Sequence, residues 1–444
     1  MSCTDEVFRR IRERTTKEPQ YLASVKEFLL SLRPLVDYAP EQQRDAEILE
    51  NILCPMKEIS FNVYWTDEKD RSRITPAWRV EYTDILGPCK GGIRMREKVS
   101  LDSVKSTGLD TLLRCTLTGQ HFGGAKGGVS FAPEQHTARE IHSFLRSFVR
   151  ELYRHIDPLD DILTPDVGME GDIVEILVDE YRNYTNLDTA PLVGRLPENG
   201  GSPLKREGVG YGAVLLLTAF LRDRGLDLRK MTAVVSGAGS VGIAAMEKLQ
   251  SLGATVTACS DTMGWVYDPN GMDTEKLKRV KFARHTDLQA YAAMREGAEY
   301  HPGRGVWSIP ADIGIPCAIA REINLDDAVR IAQGGIRYLC EGAFSPFTRQ
   351  ANRYLKSQGI AILPCRASSA GGIAVTGIEA DAIAEGRHLS RAEYEAELRR
   401  ISDHVWDQLR DTAEKYNLGA DYQAAADIAA YLRLRKAYQR RILR

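Results

Sequence analysis

A two-domain α/β architecture follows from three features of this sequence: its length, a strand–turn–helix–strand unit in its second half, and a loop-rich connection ahead of that unit. At 444 residues the chain is too long for one compact core, which sets two domains as the expectation. Thr232–Ser236 (TAVVS) reads as a short buried strand and Gly237–Gly242 (GAGSVG) as a turn. A helical run then reaches Leu252, and Ala254–Cys259 reads as a second strand. That order is a βαβ unit. Leu196–Ser202 (LPENGGS) is rich in Gly, Pro and Asn and reads as the domain connection.

The remaining elements follow from periodicity. Residues 5–60 read as helical, with apolar positions three and four apart at Phe28, Leu29, Leu32 and Leu35. Ser60–Trp65 and Ala77–Tyr82 are β-rich and partly alternating, separated by the charged turn region Asp67–Arg73. Helical patterns run over Leu101–Leu117, Ala138–Tyr153 and Gly208–Arg222.

Composition narrows the function classes. An apolar fraction of 43% and a charged fraction of 27% are ordinary for a globular protein. A net charge of −2 gives no global reason to bind nucleic acid or an acidic membrane. The opening Met1–Glu6 is polar with no apolar signal core behind it, and no apolar stretch is long enough to span a bilayer. The expectation is a cytoplasmic protein with a small-molecule ligand and no nucleic-acid or membrane partner. Eight cysteines without a CxxC pair read as reduced thiols. No HExxH or His/Cys/carboxylate cluster appears, so no metal is expected.

The turn Gly237–Gly242 is a GxGxxG directly after a β-branched strand and opening a helix, the context of a dinucleotide site. Gly237 permits the tight turn, Gly239 lets a pyrophosphate approach the backbone, and Gly242 lets helix and strand pack closely. Ser240 and Val241 complete this cofactor-binding turn. Asp261 ends the second strand, where an acid would bond the adenosine ribose. It favours NAD, because a carboxylate repels the 2′-phosphate of NADP, though NADP stays open. The alternative is that Asp261 caps a turn with Ser260 and Thr262, or that the domain has lost its nucleotide.

Two segments of the first half each set one lysine among glycines: Gly87–Arg94 (GPCKGGIR), with Lys90, Gly91 and Gly92, and Phe122–Val129 (FGGAKGGV), with Lys126. Glycines remove side-chain bulk, so a ligand can come close. A lysine in such a cleft loses hydration and its pKa falls, so it can act as a base or hold a carboxylate.

These motifs resemble the glutamate dehydrogenases, within the Glu/Leu/Phe/Val dehydrogenase superfamily. The resemblance covers nearly the whole chain and extends to Thr164–Val167, Arg206–Gly212, Asp312–Ala318, Glu341–Ala343 and Ala370–Gly377. It implies an N-terminal α/β substrate-binding and oligomerisation domain over 1–203, rejoined by a C-terminal helix 420–444, and a Rossmann-like dinucleotide-binding domain over 204–419. It implies NAD(P)-dependent oxidative deamination of L-glutamate by a homo-oligomer, a hexamer. Lys126 would activate the attacking water, Asp166 would shuttle protons at the amino nitrogen, and Lys90 with Thr376 would bind the distal carboxylate.

The chain also departs from the family's pattern. Arg114 stands where the family has a lysine for the substrate α-carboxylate, and Thr111 where glutamate-specific members have Gln. Gln120-His121 replaces a Leu-Pro, leaving His121 as either a new acid or base or a loop filler. At the cofactor end Val209 replaces Thr, and Ser240, Phe344 and Ser369 each replace Asn. Two rivals therefore stand beside the first reading: a dehydrogenase rebuilt for another amino or imino acid, and a catalytically impaired member with a structural role. The C-terminal cations Arg433, Arg435, Lys436, Arg440, Arg441 and Arg444 read as a solvated helix face.

Overall fold

The computed structural model describes residues 2–15, 17–38, 42–169, 172–186, 191–283 and 285–442. The chain divides into two compact units, one of Met1–Pro203, Thr376–Tyr394 and Asp427–Arg444, the other of Leu204–Val375 and Glu395–Ala426.

The first unit opens on helices Cys3–Arg14, Pro19–Val36 and Gln42–Leu53. A five-stranded sheet follows: β1 (Lys57–Thr66), β2 (Ser72–Thr83), β3 (Cys89–Met95), β4 (Gly124–Val129) and β5 (Asp161–Pro165), in the order β1-β2-β4-β3-β5. The β1–β2 and β2–β4 pairs are antiparallel, and β3 runs parallel to β4 and β5. On β1 the alternate positions Val63 and Trp65 turn inward, onto Phe131, Phe144 and Phe148. Strand β4 is buried along its whole length, as expected of a central strand covered on both faces. The helical reading of residues 5–60 runs too far. Lys57–Ser60 already belongs to β1, paired with β2 from Lys57 opposite Glu81 onward.

The second unit carries a seven-stranded sheet: β6 (Thr232–Ser236), β7 (Thr255–Ser260), β8 (Gly264–Tyr267), β9 (Glu299–Pro302), β10 (Ile313–Pro316), β11 (Tyr338–Cys340) and β12 (Ala361–Leu363), in the order β12-β11-β10-β6-β7-β8-β9. Strands β12 to β7 are parallel and β8 and β9 run antiparallel. From β6 the chain passes to β7 on one side and later to β10 on the other, so strand order reverses at the carboxyl end of β6. In doubly wound sheets that reversal is where ligands bind. Helix Gly208–Asp223 packs on helix Ser240–Ser251. At Gly210 a Cβ would lie only 2.5 Å from the Val241 carbonyl oxygen, so the two helices meet backbone to backbone. The final helix, Tyr422–Ile442, belongs to the first unit from Asp427 onward. No helix among the described residues is long and apolar enough to cross a membrane.

Candidate active site

In the first unit three strands bring a charged cluster together. Lys126, on β4 opposite Val80, is 8% exposed, and its Nζ donates to Asp166 Oδ2, just past the end of β5. Arg94 on β3 places its Nε 3.3 Å from the same oxygen. Glycine at 92 makes the cluster possible: a Cβ there would lie 2.9 Å from Asp166 Cβ and 3.4 Å from Lys126 Nζ. At Gly91 a Cβ would come 1.7 Å from the Ala125 carbonyl oxygen, so β3 and β4 could not approach as they do.

Burial pushes the Lys126 pKa down against the opposing pull of Asp166, and the charges of Arg94 and Arg114 push the same way as burial. Burial works to raise the Asp166 pKa, but Lys126 and Arg94 outweigh it and hold the carboxylate below its usual range. The resting pair is therefore an ion pair whose lysine gives up its proton more easily than a solvated one.

Lys90, on β3, is 1% exposed. Its Nζ donates to Thr376 Oγ1 at 2.8 Å and sits 5.2 Å from the centre of the Phe122 ring. Burial lowers its pKa too. Below it, Arg79 donates from Nε to Asp161 Oδ2 at 2.7 Å and from Nη1 to the Gly91 carbonyl at 2.9 Å, with both side chains fully buried. This pair ties β2, β3 and β5 together beneath the lysines.

Arg114 forms an ion pair with Asp110, one turn earlier on helix Leu101–Leu117, while its buried Nε–H meets no acceptor among the described residues. Thr111 donates its hydroxyl to the Thr107 carbonyl of its own helix at 2.8 Å. Sequence reading did not single out Arg94 or Arg79. Arg94 was legible in principle, because it shares a strand face with Gly92, two residues away.

In the second unit a cleft of about 570 Å³ lies at the carboxyl ends of β6, β7 and β10, lined among others by Gly237, Gly239, Ser260, Thr262, Lys281 and Ala318. Gly237 takes φ +80°, which turns the chain out of β6, and a Cβ at Gly242 would lie 2.0 Å from the Gly237 carbonyl. Above Gly239 nothing stands within 4 Å of a Cβ position. Helix Ser240–Ser251 begins there with no side-chain cap, leaving its first N–H groups to a ligand anion. Ser240 is exposed and Val241 half-buried at that end. These features fit a dinucleotide pyrophosphate. Glu322 also lines the cleft; burial pushes its carboxyl up to about 7, against the hydrogen bond from Ser236.

Asp261 lies one residue beyond β7, and its carboxylate is already engaged. Oδ1 accepts from the N–H groups of Met263 and Gly264 at 2.9 and 3.1 Å. Oδ2 accepts from Lys281 Nζ at 2.8 Å and from the Leu288 N–H at 3.2 Å. Its geometry is that of a turn organiser with a paired cation, so the expected repulsion of a 2′-phosphate loses its basis.

Of the other departures, Val209 packs where a Cβ on Gly372 would be, at 2.7 Å. Ser369 is buried with its hydroxyl donated to the Cys365 carbonyl. The Phe344 ring is 55% exposed. Among the described residues no group of three or more His, Cys, Asp or Glu side chains could hold a metal, and all eight cysteines are free.

The chain matches two family models, Glutamate/Leucine/Phenylalanine/Valine dehydrogenase over residues 200–441 and the Glu/Leu/Phe/Val dehydrogenase dimerisation domain over 55–183. It is 32% identical to the NADP-specific glutamate dehydrogenase of Haemophilus influenzae, covering 98% of this chain and 97% of that one. It is 31% identical to the NAD-specific glutamate dehydrogenase of Clostridium symbiosum, with coverage of 98% and 97%. The crystal structure of Plasmodium falciparum glutamate dehydrogenase superposes with a TM-score of 0.94 at 32% identity, covering 99% of this chain and 94% of that one. Fold, paired lysine motifs and these likenesses agree: the chain belongs to the glutamate/leucine/phenylalanine/valine dehydrogenase family.

Proposed function

We propose that the protein is an NAD(P)-dependent glutamate dehydrogenase, converting L-glutamate and water reversibly to 2-oxoglutarate and ammonia. The observation that carries this reading is the buried Lys126–Asp166 contact, set in the same unit as the buried Lys90–Thr376 pair. A bound NAD or NADP supplies the acceptor for the hydride lost from the substrate Cα. Lys90 and Thr376 hold the distal carboxylate, and the unmet Nε–H of Arg114 offers a donor to the α-carboxylate. Asp166 takes the proton that the amino nitrogen must lose before the imine forms. With Asp166 protonated, Lys126 loses its counter-ion, releases its own proton to solvent, and as a neutral amine removes a proton from the water that adds to the imine carbon. The C–N bond breaks as Asp166 returns its proton to the leaving ammonia, and the hydroxyl left on the carbon gives its proton to solvent as the C=O bond forms. The two groups are coupled: as Lys126 sheds its charge, Asp166 loses its counter-ion and becomes the stronger base.

The lining of the second unit's cleft supports dinucleotide binding, with Gly237, Gly239, Ser240, Val241 and Gly242 around the pyrophosphate. With Asp261 paired to Lys281, neither NAD nor NADP is repelled, and relatives of both specificities exist. The dimerisation-domain match supports a homo-oligomer, which we take to be a hexamer acting in the cytoplasm on small molecules. Residues 1–203 with the C-terminal helix would serve substrate binding and oligomerisation, and 204–419 cofactor binding.

One observation favours a second reading, a dehydrogenase for a related amino or imino acid. The Arg114 guanidinium is drawn onto Asp110, so an α-carboxylate would be held differently than by a free ammonium. Oxidation of NADH and NADPH, required to depend on both ammonium and a 2-oxo acid, separates the two across a panel of 2-oxo acids. Preference for 2-oxoglutarate supports the first reading, and preference for a monocarboxylic or branched acid supports the second.

A further inference from the structure

Two sets of charged side chains stand outside the proposed reaction. The cations of the final helix are one. Arg433 donates to the carbonyls of Gly119 and Gln120, beside His121, at 2.8 and 2.6 Å, and Arg444 lies outside the described residues. Arg94 is the other, and it stands within the catalytic cluster. Alternation along β3 puts it on the sheet face that carries Lys90 and Gly92. Its Nε lies 3.3 Å from Asp166 Oδ2, the oxygen that also accepts from Lys126. That approach is a contact of charges and not a hydrogen bond, since the buried Nε–H meets no acceptor among the described residues. The other carboxylate oxygen, Oδ1, accepts from the Val167 N–H at 2.8 Å. Two cations therefore share one oxygen of one acid, and among the described residues Arg94 makes no other ion pair.

We propose that Arg94 is a positioning residue of this reaction: its permanent charge makes Lys126 release its proton once Asp166 has taken one from the substrate. This role rests on the reaction proposed above. While Asp166 is ionised, the cluster holds two cations against one anion. Once Asp166 is protonated, two cations face a neutral acid in a largely buried site, and one of them must yield. A guanidinium keeps its proton at any accessible pH, whereas an ammonium can lose one. Lys126 is therefore the group that becomes neutral, at the step where the water needs a base. Burial lowers the Lys126 pKa and Asp166 opposes it, while Arg94 adds to burial. Burial works to raise the Asp166 pKa, and Lys126 and Arg94 outweigh it.

The other charged or titratable groups around Lys126 are already committed. On helix Leu101–Leu117, Arg114 acts in the same direction as Arg94 but is paired with Asp110. On β2 the Tyr82 hydroxyl donates to the Lys105 carbonyl at 2.6 Å, and on β3 Lys90 donates to Thr376. Arg94 is the cation left facing Asp166 from outside the pair.

The test compares the wild type with Arg94→Met, which keeps an unbranched stem without charge, and with Arg94→Lys, which keeps the charge. The first readout is kcat for glutamate oxidation across pH, which reports the groups of the enzyme–substrate complex. The acidic limb of Arg94→Met should lie at least about one pH unit above that of the wild type. The variant is then at least about tenfold slower near neutral pH and recovers at alkaline pH. Arg94→Lys should return the limb towards the wild type. The second readout needs no turnover: trace acetylation of the full-length protein with acetic anhydride across pH, with Lys126 followed by mass spectrometry, reports its neutral fraction. The labelling midpoint should rise by at least about one pH unit in Arg94→Met and fall back in Arg94→Lys. A uniform loss of rate at every pH, unrelieved in Arg94→Lys, would assign Arg94 to packing alone and overturn the inference. Equal labelling midpoints in the wild type and Arg94→Met would overturn it too. A wild type that leaves glutamate unoxidised refutes the substrate reading instead, and the labelling midpoints still decide the role of Arg94.

Discussion

Replacing Lys90 by leucine separates what this residue does for the fold from what it does for a substrate. Its ammonium is 1% exposed and bonded to Thr376, and burial already disfavours its charged form. In the empty protein that charge costs stability, so Lys90→Leu should leave the thermal midpoint unchanged or raise it. With a dicarboxylic substrate the balance reverses. A hydrogen bond to a charged group contributes about 1.5–3 kcal/mol, and a buried carboxylate left without its cation costs more. Taking about 3 kcal/mol, kcat/KM for 2-oxoglutarate should fall by roughly two orders of magnitude. An apolar 2-oxo acid such as 4-methyl-2-oxopentanoate loses no ion pair and should gain relative to it. Initial rates of NAD(P)H oxidation at fixed ammonium give both numbers, and calorimetry gives the midpoint. A fall in kcat/KM of less than about threefold for 2-oxoglutarate, in a folded variant, would refute the assignment of Lys90 to the distal carboxylate.

Other expected outcomes come from the same geometry. Glu81 is fully buried with Asp161 nearby and Lys57 at 3.0 Å; burial and Asp161 push its carboxyl up to about 7. Its raised folded pKa means stability is full below the unfolded pKa and is lost as pH rises through about 7. Relative to Glu81→Gln, the wild type should lose about 2 kcal/mol between about pH 5.5 and about pH 8.5, and parallel denaturation curves at the two pH values would contradict this. Lys281→Ala should weaken NADPH more than NADH, because it removes the cation beside Asp261 at the cleft; equal losses in fluorescence titrations would place the 2′ position elsewhere. Arg114→Lys should free a cation from its planar pairing with Asp110 and raise turnover of 2-oxoglutarate if the present arrangement limits it, whereas an unchanged kcat/KM would show the substitution to be neutral.

What the sequence made legible, and what it did not, divides along physical lines. The β6 strand, its glycine turn and the helix after it were readable because a β-branched run, a GxGxxG and a helical period follow each other directly. The lysine motifs were readable because glycine has few other reasons to flank a lysine on both sides. The Asp110–Arg114 pair was also readable, since residues four apart on a helix are neighbours. The engagement of Asp261 was not readable, because its partners Lys281 and Leu288 arrive from a separate segment. Nor was the ionisation of Glu81: an alternating strand gives no hint that Asp161 of another strand lies close enough to oppose its charge. The joining of His121 to the final helix spans most of the chain, and only the tertiary fold brings the two together.

The central claim is that buried Lys126, paired with Asp166, performs proton transfer in glutamate oxidation. Steady-state oxidation of glutamate at saturating NAD(P), which cannot continue without hydrolysis of the imine, tests it most directly when wild type is run beside Lys126→Ala. The account predicts sustained turnover in the wild type and a kcat at least about a hundredfold lower in the variant, with cofactor affinity unchanged because Lys126 lies in the other unit. A variant that retains more than about a tenth of the wild-type rate, with glutamate as substrate, would contradict it.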